Sequence, residues 1–424
     1  MNEICKRIYR LTALLLSLLA VFFAVSCAGG GDETGTESGT SGQAPQESES
    51  DSGTAEPNDP NGEILEWDKE FYMELDLVNT YSKLVYEKSL QVAFIGGSVT
   101  AGAFSSTASK CWAGLTGAWL RERFPQATIL TKNAGWGGTG VKLGVYRLEE
   151  DVLSCKPDLV FVEFAINDYY DGTSVADIKS CAESIIRKLN AYDPTTEVVF
   201  VLISEHTASA NSAHRTAYME VAEAYHIPVV DISTALTEHL SKNNLPWEEL
   251  FGDVVHPNDK GHAFYAEQVK AVLKTSFDRD AEAVFSKTVY HRPLPSTSVG
   301  THDLTRAQLS LAKEIGLGSS QGFSLVSDSA CRYRQYLQGS VGAELTVTFS
   351  GTDIGILFWR TAASGKIAYA IDGGAEQTLN VNGSNDNVWR MLFEKLENGS
   401  HTLTLRVTEG QFNLQALMVN GALQ

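Results

Sequence analysis

Between about Ile64 and Phe277, short apolar runs alternate with longer stretches whose apolar residues recur every three or four positions. The runs are QVAFIGG, ATILTKNAG, DLVFVEFAIN, EVVFVLIS and IPVVDI; the stretches between them include CWAGLTGAWLRERF and VADIKSCAESIIRKLNAY. Strands this continuously apolar must be covered on both faces, and a helix after each strand supplies the cover. The pattern predicts a three-layer α/β/α domain on a parallel sheet over residues 64–277. Ligands of such sheets collect at the carboxyl ends of the strands.

From about Gly322 the period changes to two: Leu345, Val347 and Phe349; Ile367, Tyr369 and Ile371; Leu403, Leu405 and Val407. Turn signals punctuate it at Ser350-Gly351, Asp372-Gly373, Asn382-Gly383, Asn398-Gly399 and Glu409-Gly410. Short alternating strands with regular turns predict a β-sandwich over residues 322–424, joined to the first domain by a linker over 278–321.

The amino-terminal stretch differs from both. Lys6, Arg7 and Arg10 precede the run LTALLLSLLAVFFAVSC, which is too short and too early for an ordinary spanning helix and reads as an export signal over residues 1–26. It ends in Ala24-Val25-Ser26-Cys27, which resembles a bacterial lipobox and implies cleavage before Cys27 and lipidation of its thiol. Leu is more usual where Ala24 stands, and an ordinary secretory signal with an incidental cysteine is the alternative. Residues 27–63 are rich in Gly, Ser, Thr, Pro and acids, so they read as a flexible tether that cannot bury enough surface to fold. The expectation is a membrane-anchored protein facing the cell exterior or the periplasm.

Charge narrows the partners. The chain carries a net −19, of which the signal contributes +2 and residues 28–60 −8, leaving −13 for residues 61–424. An acidic body argues against nucleic acid and fits a neutral substrate. Of six cysteines, Cys111, Cys155, Cys181 and Cys331 remain after Cys5 and Cys27 are set aside. They show no C-x-x-C spacing, so neither zinc nor redox chemistry is expected. His206 and His214 have no ligand-like company, and no metal is assigned.

Three blocks of the first domain carry candidate chemistry. The first strand runs into Gly96-Gly97-Ser98-Val99-Thr100-Ala101-Gly102, which puts a serine where the sheet presents its ligands; a helix N-cap is the blander role for it. Near the end of the domain, Asp253-Val254-Val255-His256-Pro257 places a carboxylate three residues before a histidine. A serine hydroxyl is a poor nucleophile until a base takes its proton, and the base works best when a carboxylate fixes its tautomer. The third strand ends in Phe164-Ala165-Ile166-Asn167-Asp168, where an asparagine at the strand tip can donate to a developing oxyanion. Turn formation is its plainer role.

A fourth block, Asn133 to Val141 (NAGWGGTGV), fits G-x-G-x-x-G, the pattern of a dinucleotide cradle. That reading requires an acidic ribose ligand about 20 residues further on. Glu163 is the nearest candidate, 23 residues past Gly140, but it lies inside its strand. The glycines are better read as letting backbone approach a ligand.

Taken together, GGSVTAG, NAGWGGTG, FAIND and DVVHP resemble the SGNH hydrolases, also called the GDSL family, in that family's order and over nearly all of residues 90–270. The wider PDLVFVEFAIND and HPNDKGH look like the branch of exported bacterial esterases that act on decorated polysaccharides. The resemblance implies a flavodoxin-like sheet and ester hydrolysis without metal or organic cofactor. It makes Ser98 the nucleophile, His256 the base and Asp253 its orienting partner. The oxyanion donors it implies are the N–H of Ser98, the N–H of Gly138 and the side chain of Asn167. Two positions depart from it: Gly97 replaces the Asp of GDS, and Ala165 replaces the Gly of G-x-N-D.

The expected reaction is removal of acyl groups, foremost acetyl, from an acylated carbohydrate. A non-catalytic glycan-binding lipoprotein and a lipase or acyltransferase of the same fold are the alternatives. Trp136 either stacks on a sugar ring at the mouth of the site or closes its loop as packing. Glu163, a charge inside an apolar strand, needs a partner, for which Arg147 is the candidate. Trp112 and Trp119, seven apart, are expected to face the core.

Overall fold

The computed structural model of the chain describes residues 76–207, 209–283, 290–316 and 320–424. The expected signal peptide, Cys27 and the tether lie outside the described residues.

Five strands, β1 (Ser89–Gly96), β2 (Thr128–Gly135), β3 (Leu159–Glu163), β4 (Glu197–Leu202) and β5 (Val229–Asp231), form a sheet in the order β2-β1-β3-β4-β5. Every pairing in it is parallel. The order reverses at β1, which has the second strand on one side and the third on the other. Crossovers leave this point toward opposite faces and open a crevice at the carboxyl ends of β1 and β3, the place where doubly wound sheets hold ligands.

Around the sheet run α1 (Val78–Ser82), α2 (Ser98–Ala101), α3 (Trp112–Arg123), α4 (Val141–Tyr146), α5 (Leu148–Asp151), α6 (Ala165–Tyr170), α7 (Val175–Tyr192), α8 (Ser212–Tyr225), α9 (Ile232–Asn243) and α10 (Asp259–Ala283). All of β3 and β4 is buried, which is why they read as unbroken apolar runs. Successive residues serve opposite faces: Phe94 and Phe161 stack at 5.0 Å beside Trp112 in one core, while Ile95 and Val162 enter the other with Ile185 and Phe200. Each such side chain contributes roughly 1.5–3 kcal/mol by its burial. Trp112 is fully buried, and Trp119 packs half-buried at the edge of the same core. The helical stretch after β2 is broken at Arg147 into α4 and α5.

The β-domain comprises β6 (Ala307–Leu311), β7 (Ser320–Ser327), β8 (Gln335–Arg360), β9 (Lys366–Ile371), β10 (Gln377–Asn380), β11 (Asp386–Phe393), β12 (Gly399–Glu409) and β13 (Gln411–Leu423). The long β8 lends successive stretches to β7, β12 and β11, and Leu414 of β13 lies between its two ends, opposite Leu337 and Phe358. The strands enclose a core of Leu345, Phe349, Ile356, Leu405 and Leu417.

Two boundaries differ from expectation. Ser350-Gly351 is no turn, because β8 runs through it. A side chain at Gly351 would come 2.1 Å from the carbonyl of Asn420, so the glycine marks a close strand crossing. Nor is 278–321 a free linker. The helix α10 continues to Ala283, and β6 pairs with β13. Residues 299–304 are strapped along α7, whose side chains replace a strand partner: Glu183 accepts from the N–H groups of Val299 and Gly300, Ser180 from those of Thr301 and His302, and Ser184 from that of Leu304.

The β-domain is also joined to the α/β domain through a shared core. Along β8 and β13, Ile356, Phe358, Leu417 and Val419 point into the domain's own core, whereas Leu357, Ala416 and Met418 pack with Val145, Leu148 and Ile185 of the α/β domain. A sheet buried on both faces turns two domains into one packed body.

Candidate active site

The strand β1 ends at Gly96, and Gly97 turns the chain so that Ser98 opens α2 at the crevice. Ser98 Oγ lies 2.8 Å from His256 Nε2. His256 Nδ1 lies 2.7 Å from Asp253 Oδ2. A hydrogen on Nδ1 satisfies the carboxylate and leaves Nε2 free to accept from the serine. The loop that carries this pair is closed on itself, since Phe251 and Pro257 form a bridge and Gly252 N–H donates to His256 O at 2.9 Å. Asp253 Oδ1 accepts from the N–H groups of Val255 and His256 at 2.8 and 2.7 Å. Burial pushes the Asp253 carboxyl up, but the hydrogen bonds from the His256 ring and from these two N–H groups outweigh it and hold it below the usual carboxylate range. The Asp therefore stays an anion beside the imidazole.

Ser98, Gly138 and Asn167, the expected oxyanion donors, line one cavity. The N–H of Ser98 is the first of its helix, where no intrahelical acceptor exists. Gly138 has φ +68, a left-handed conformation that suits glycine, and it lines the crevice beside Ser98. Asn167 is not at a strand tip as expected. The strand β3 stops at Glu163, and Asn167 sits in the first turn of α6, which Ala165 opens in ordinary helical conformation. Its Nδ2 donates to Thr139 O at 2.7 Å, which uses one amide hydrogen and leaves the other for a ligand. Gly97 explains its own departure from GDS: a Cβ there would come 2.0 Å from Asn167 Nδ2. Ser98, Gly138, Asn167, Asp253 and His256 all line one open cavity of about 370 Å³, with Tyr170, Asp171, Val254 and Val255.

Trp136 does not line this cavity. It is half-buried, with the guanidinium of Arg332 from the β-domain 4.2 Å from its ring centroid and that of Arg147 at 5.8 Å. Of the two roles considered for it, these contacts match packing, between its loop and the β-domain. Arg147 also corrects its own assignment. It is fully buried and pairs with Asp151 at 2.7 Å, not with Glu163. Glu163 instead accepts from Thr100 Oγ1 at 2.8 Å, and burial pushes its carboxyl up to about 8, so it sits in the strand as a neutral acid. Asp168 is similar. Burial raises it to about 7 although the Tyr218 hydroxyl and the Val141 N–H both bond to it.

Sequence reasoning missed the residues around the mouth. Phe104, Tyr170 and Val254 are 56%, 54% and 59% exposed, and large apolar residues gathered at a crevice rather than scattered mark a binding surface. The doubled tyrosine after FAIND and the phenylalanine in a run of small residues were the available signals. His206 donates its N–H to Val254 O at 2.9 Å, and its ring meets the edge of Trp247, whereas His214 meets Tyr169. Among the described residues, no three His, Cys, Asp or Glu side chains gather as a metal site, and Cys111, Cys155, Cys181 and Cys331 are free thiols.

A serine, an imidazole and a carboxylate bonded in series at the switch point of a parallel sheet are an arrangement that can carry out acyl transfer. Residues 94–264, within the α/β domain, match the model of the GDSL-like lipase/acylhydrolase family. The chain as a whole is similar to the crystal structure of a two-domain esterase (CEX) active on acetylated mannans: identity is 24%, the TM-score 0.69, and the match covers 82% of this chain and 97% of that one. A structure of a two-domain esterase active on acetylated mannans co-crystallized with mannopentaose is similar at 23% identity and a TM-score of 0.68, over 81% of this chain and 95% of that one. At these identities the likeness shows the fold. No curated protein matches the chain in sequence.

Proposed function

We propose that the chain is an exported serine esterase that removes O-acyl groups, foremost O-acetyl, from polysaccharide or oligosaccharide. The observation that carries this reading is the series Ser98 Oγ, His256 and Asp253, with spacings of 2.8 and 2.7 Å, facing Gly138 and Asn167 across one cavity. The likeness over both domains to an esterase active on acetylated mannans supports the choice of substrate. The acidic body, which disfavours anionic polymers, supports a neutral glycan.

In this mechanism Ser98 Oγ attacks the ester carbonyl while His256 Nε2 takes its proton, and Asp253 holds the ring and steadies the imidazolium. The oxyanion forms among the N–H groups of Ser98 and Gly138 and the Asn167 amide, each worth on the order of 2.7–4 kcal/mol in the transition state. Collapse expels the sugar hydroxyl, protonated by His256. Water, deprotonated by the same imidazole, then attacks the acyl-enzyme to release the carboxylic acid and restore Ser98. Lipidation at Cys27 would tether the enzyme near polymers outside the cell.

The test is hydrolysis of a p-nitrophenyl ester series of increasing acyl length and of acetylated glycans, with Ser98→Ala beside the parent. Acetyl is expected to be preferred and Ser98→Ala to be inactive at an unchanged unfolding midpoint. Full activity in Ser98→Ala would sink the assignment, and failure of a fluorophosphonate to label Ser98 would favour the non-catalytic glycan-binding reading.

A further inference from the structure

The loop that carries Gly138 is not held by the α/β domain alone. Within it, Trp136 N–H donates to Gly96 O at 2.9 Å and Thr139 Oγ1 donates to Trp136 O at 2.7 Å, so the backbone that carries the indole is bonded on one side to the strand before Ser98 and on the other to the turn that holds Gly138. Over that indole lies Arg332, 4.2 Å from the ring centroid. Arg332 stands in a built loop of the β-domain: Asp328 N–H donates to Arg334 O at 2.9 Å, and Arg332 N–H donates to Asn387 Oδ1 at 3.1 Å, itself bonded to the buried Gln415 at 2.9 Å.

The same guanidinium reaches across the domain boundary to Asp151 Oδ2 at 2.6 Å, where Arg147 also binds at 2.7 Å. Arg147 in turn donates to Gly96 O at 3.0 Å and Ala134 O at 2.7 Å, the carbonyls at the ends of β1 and β2. One carboxylate thus joins a β-domain arginine to the arginine that ties both site-bearing strands. The Nε–H groups of both arginines are buried without a hydrogen-bond acceptor among the described residues, and both guanidiniums meet the indole. A cation on a ring face in a half-buried place attracts the ring, which favours one position of a short glycine loop.

We propose that Arg332 is a positioning residue for the esterase reaction: from the β-domain it clamps Trp136 and so fixes where the Gly138 N–H stands. The proposal rests on the reading of Ser98 and Gly138 given above. It assigns the β-domain a part in the chemical step itself, independent of any glycan contact. Because the clamp acts on the oxyanion and not on the attacking atom, its loss must slow acylation while leaving the nucleophile reactive.

The experiment uses the full chain. Arg332→Ala is expected to lower kcat on p-nitrophenyl acetate by roughly 10- to 100-fold with KM changed less than about twofold, the loss for a misplaced rather than a deleted donor. Arg332→Lys, which keeps a cation for Asp151 and the ring, is expected to recover part of it. Alkylation of Ser98→Cys by iodoacetamide, in which sulfur displaces iodide and no oxyanion forms, is expected to run at the same rate with and without Arg332→Ala. If Arg332→Ala does not fold, Arg332→Gln reads the same contrast. Parental kcat in the variants, or a loss that alkylation shares in equal measure, would overturn the clamp. Absence of ester hydrolysis by the parent chain itself would overturn the esterase reading and the clamp with it.

Discussion

Phe104 lies flat on the imidazole of His256, with ring centroids 5.5 Å apart and planes within 6°. It does so from a left-handed backbone, φ +63, and more than half of it faces solvent. A bulky residue in that conformation costs about 1–2 kcal/mol, and an exposed ring contributes little burial in return. The loop is nevertheless firmly held: the fully buried His262 lies 3.0 Å from Ala103 O and 3.3 Å from Trp112 N, while Asp259 accepts from Ser106 N–H at 2.7 Å. Strain kept in place by such a support points to use at the site.

Replacing Phe104 by Gly separates that use from stability. Relief of the left-handed strain and the entropic cost of glycine are of similar size and opposite sign, so the unfolding midpoint should stay within a few degrees. The imidazole loses its stacking partner, an interaction of about 0.5–1.5 kcal/mol, and kcat/KM on p-nitrophenyl acetate should fall up to about tenfold. Steady-state kinetics beside a thermal melt decide it; an unchanged kcat/KM would leave Phe104 without a role at His256.

Asp253→Asn tests the tautomer argument. The neutral amide keeps the shape of the loop but removes the anion that holds the hydrogen on His256 Nδ1, and a loss of about 10⁴ in kcat is expected from the corresponding substitution in serine proteases. A loss under about tenfold, measured with fluorophosphonate-titrated active sites, would mean that the loop and not the charge orients the ring.

The two neutral acids under the site set a pH dependence of stability. For Glu163 the folded group is raised from an ordinary 4.5 to about 8. Its contribution is therefore full below 4.5, falls as the pH rises from there, and is gone once the pH passes about 8, with a slope of at most about 1.4 kcal/mol per pH unit. Asp168 acts in the same direction between 3.8 and about 7. Calorimetry from pH 4.5 to 8 should show the parent losing stability relative to Glu163→Gln as the pH rises. Parallel curves would show that Glu163 is ionised in the fold.

Much of this site is legible along the chain for a simple reason. Ser98 and Asn167 follow the carboxyl ends of β1 and β3, strands buried on both faces that announce themselves as apolar runs, whereas Gly138 follows the largely exposed edge strand β2 and is legible from its glycines. Asp253 and His256 are legible because their spacing keeps both within one loop. Arg332 is not. Its partner Asp151 stands 181 residues earlier, and no periodicity or spacing links a loop arginine to a carboxylate in another domain. Glu163 misled for a related cause: a charge in an apolar strand invites an ionic partner, but a carboxyl can also lose its charge. The strap before β6 was hidden because its hydrogen bonds go to Ser180, Glu183 and Ser184, so it has the irregular texture of a linker without being one.

Asn167 holds the Gly138 loop at a second point, through its 2.7 Å bond to Thr139 O. Asn167→Ala should therefore do two things, delete an oxyanion donor and release the loop, with a loss of about 10²–10³ in kcat. Arg332→Ala releases the same loop. Once the loop is free, freeing it again changes little, so the double variant should be less impaired than the product of the two single losses, with a coupling of about 0.5–3 kcal/mol. A double-mutant cycle on p-nitrophenyl acetate measures this directly. Strict multiplicativity would mean that Asn167 and Arg332 act on separate parts of the site, and that the indole of Trp136 does not pass the position of one to the other.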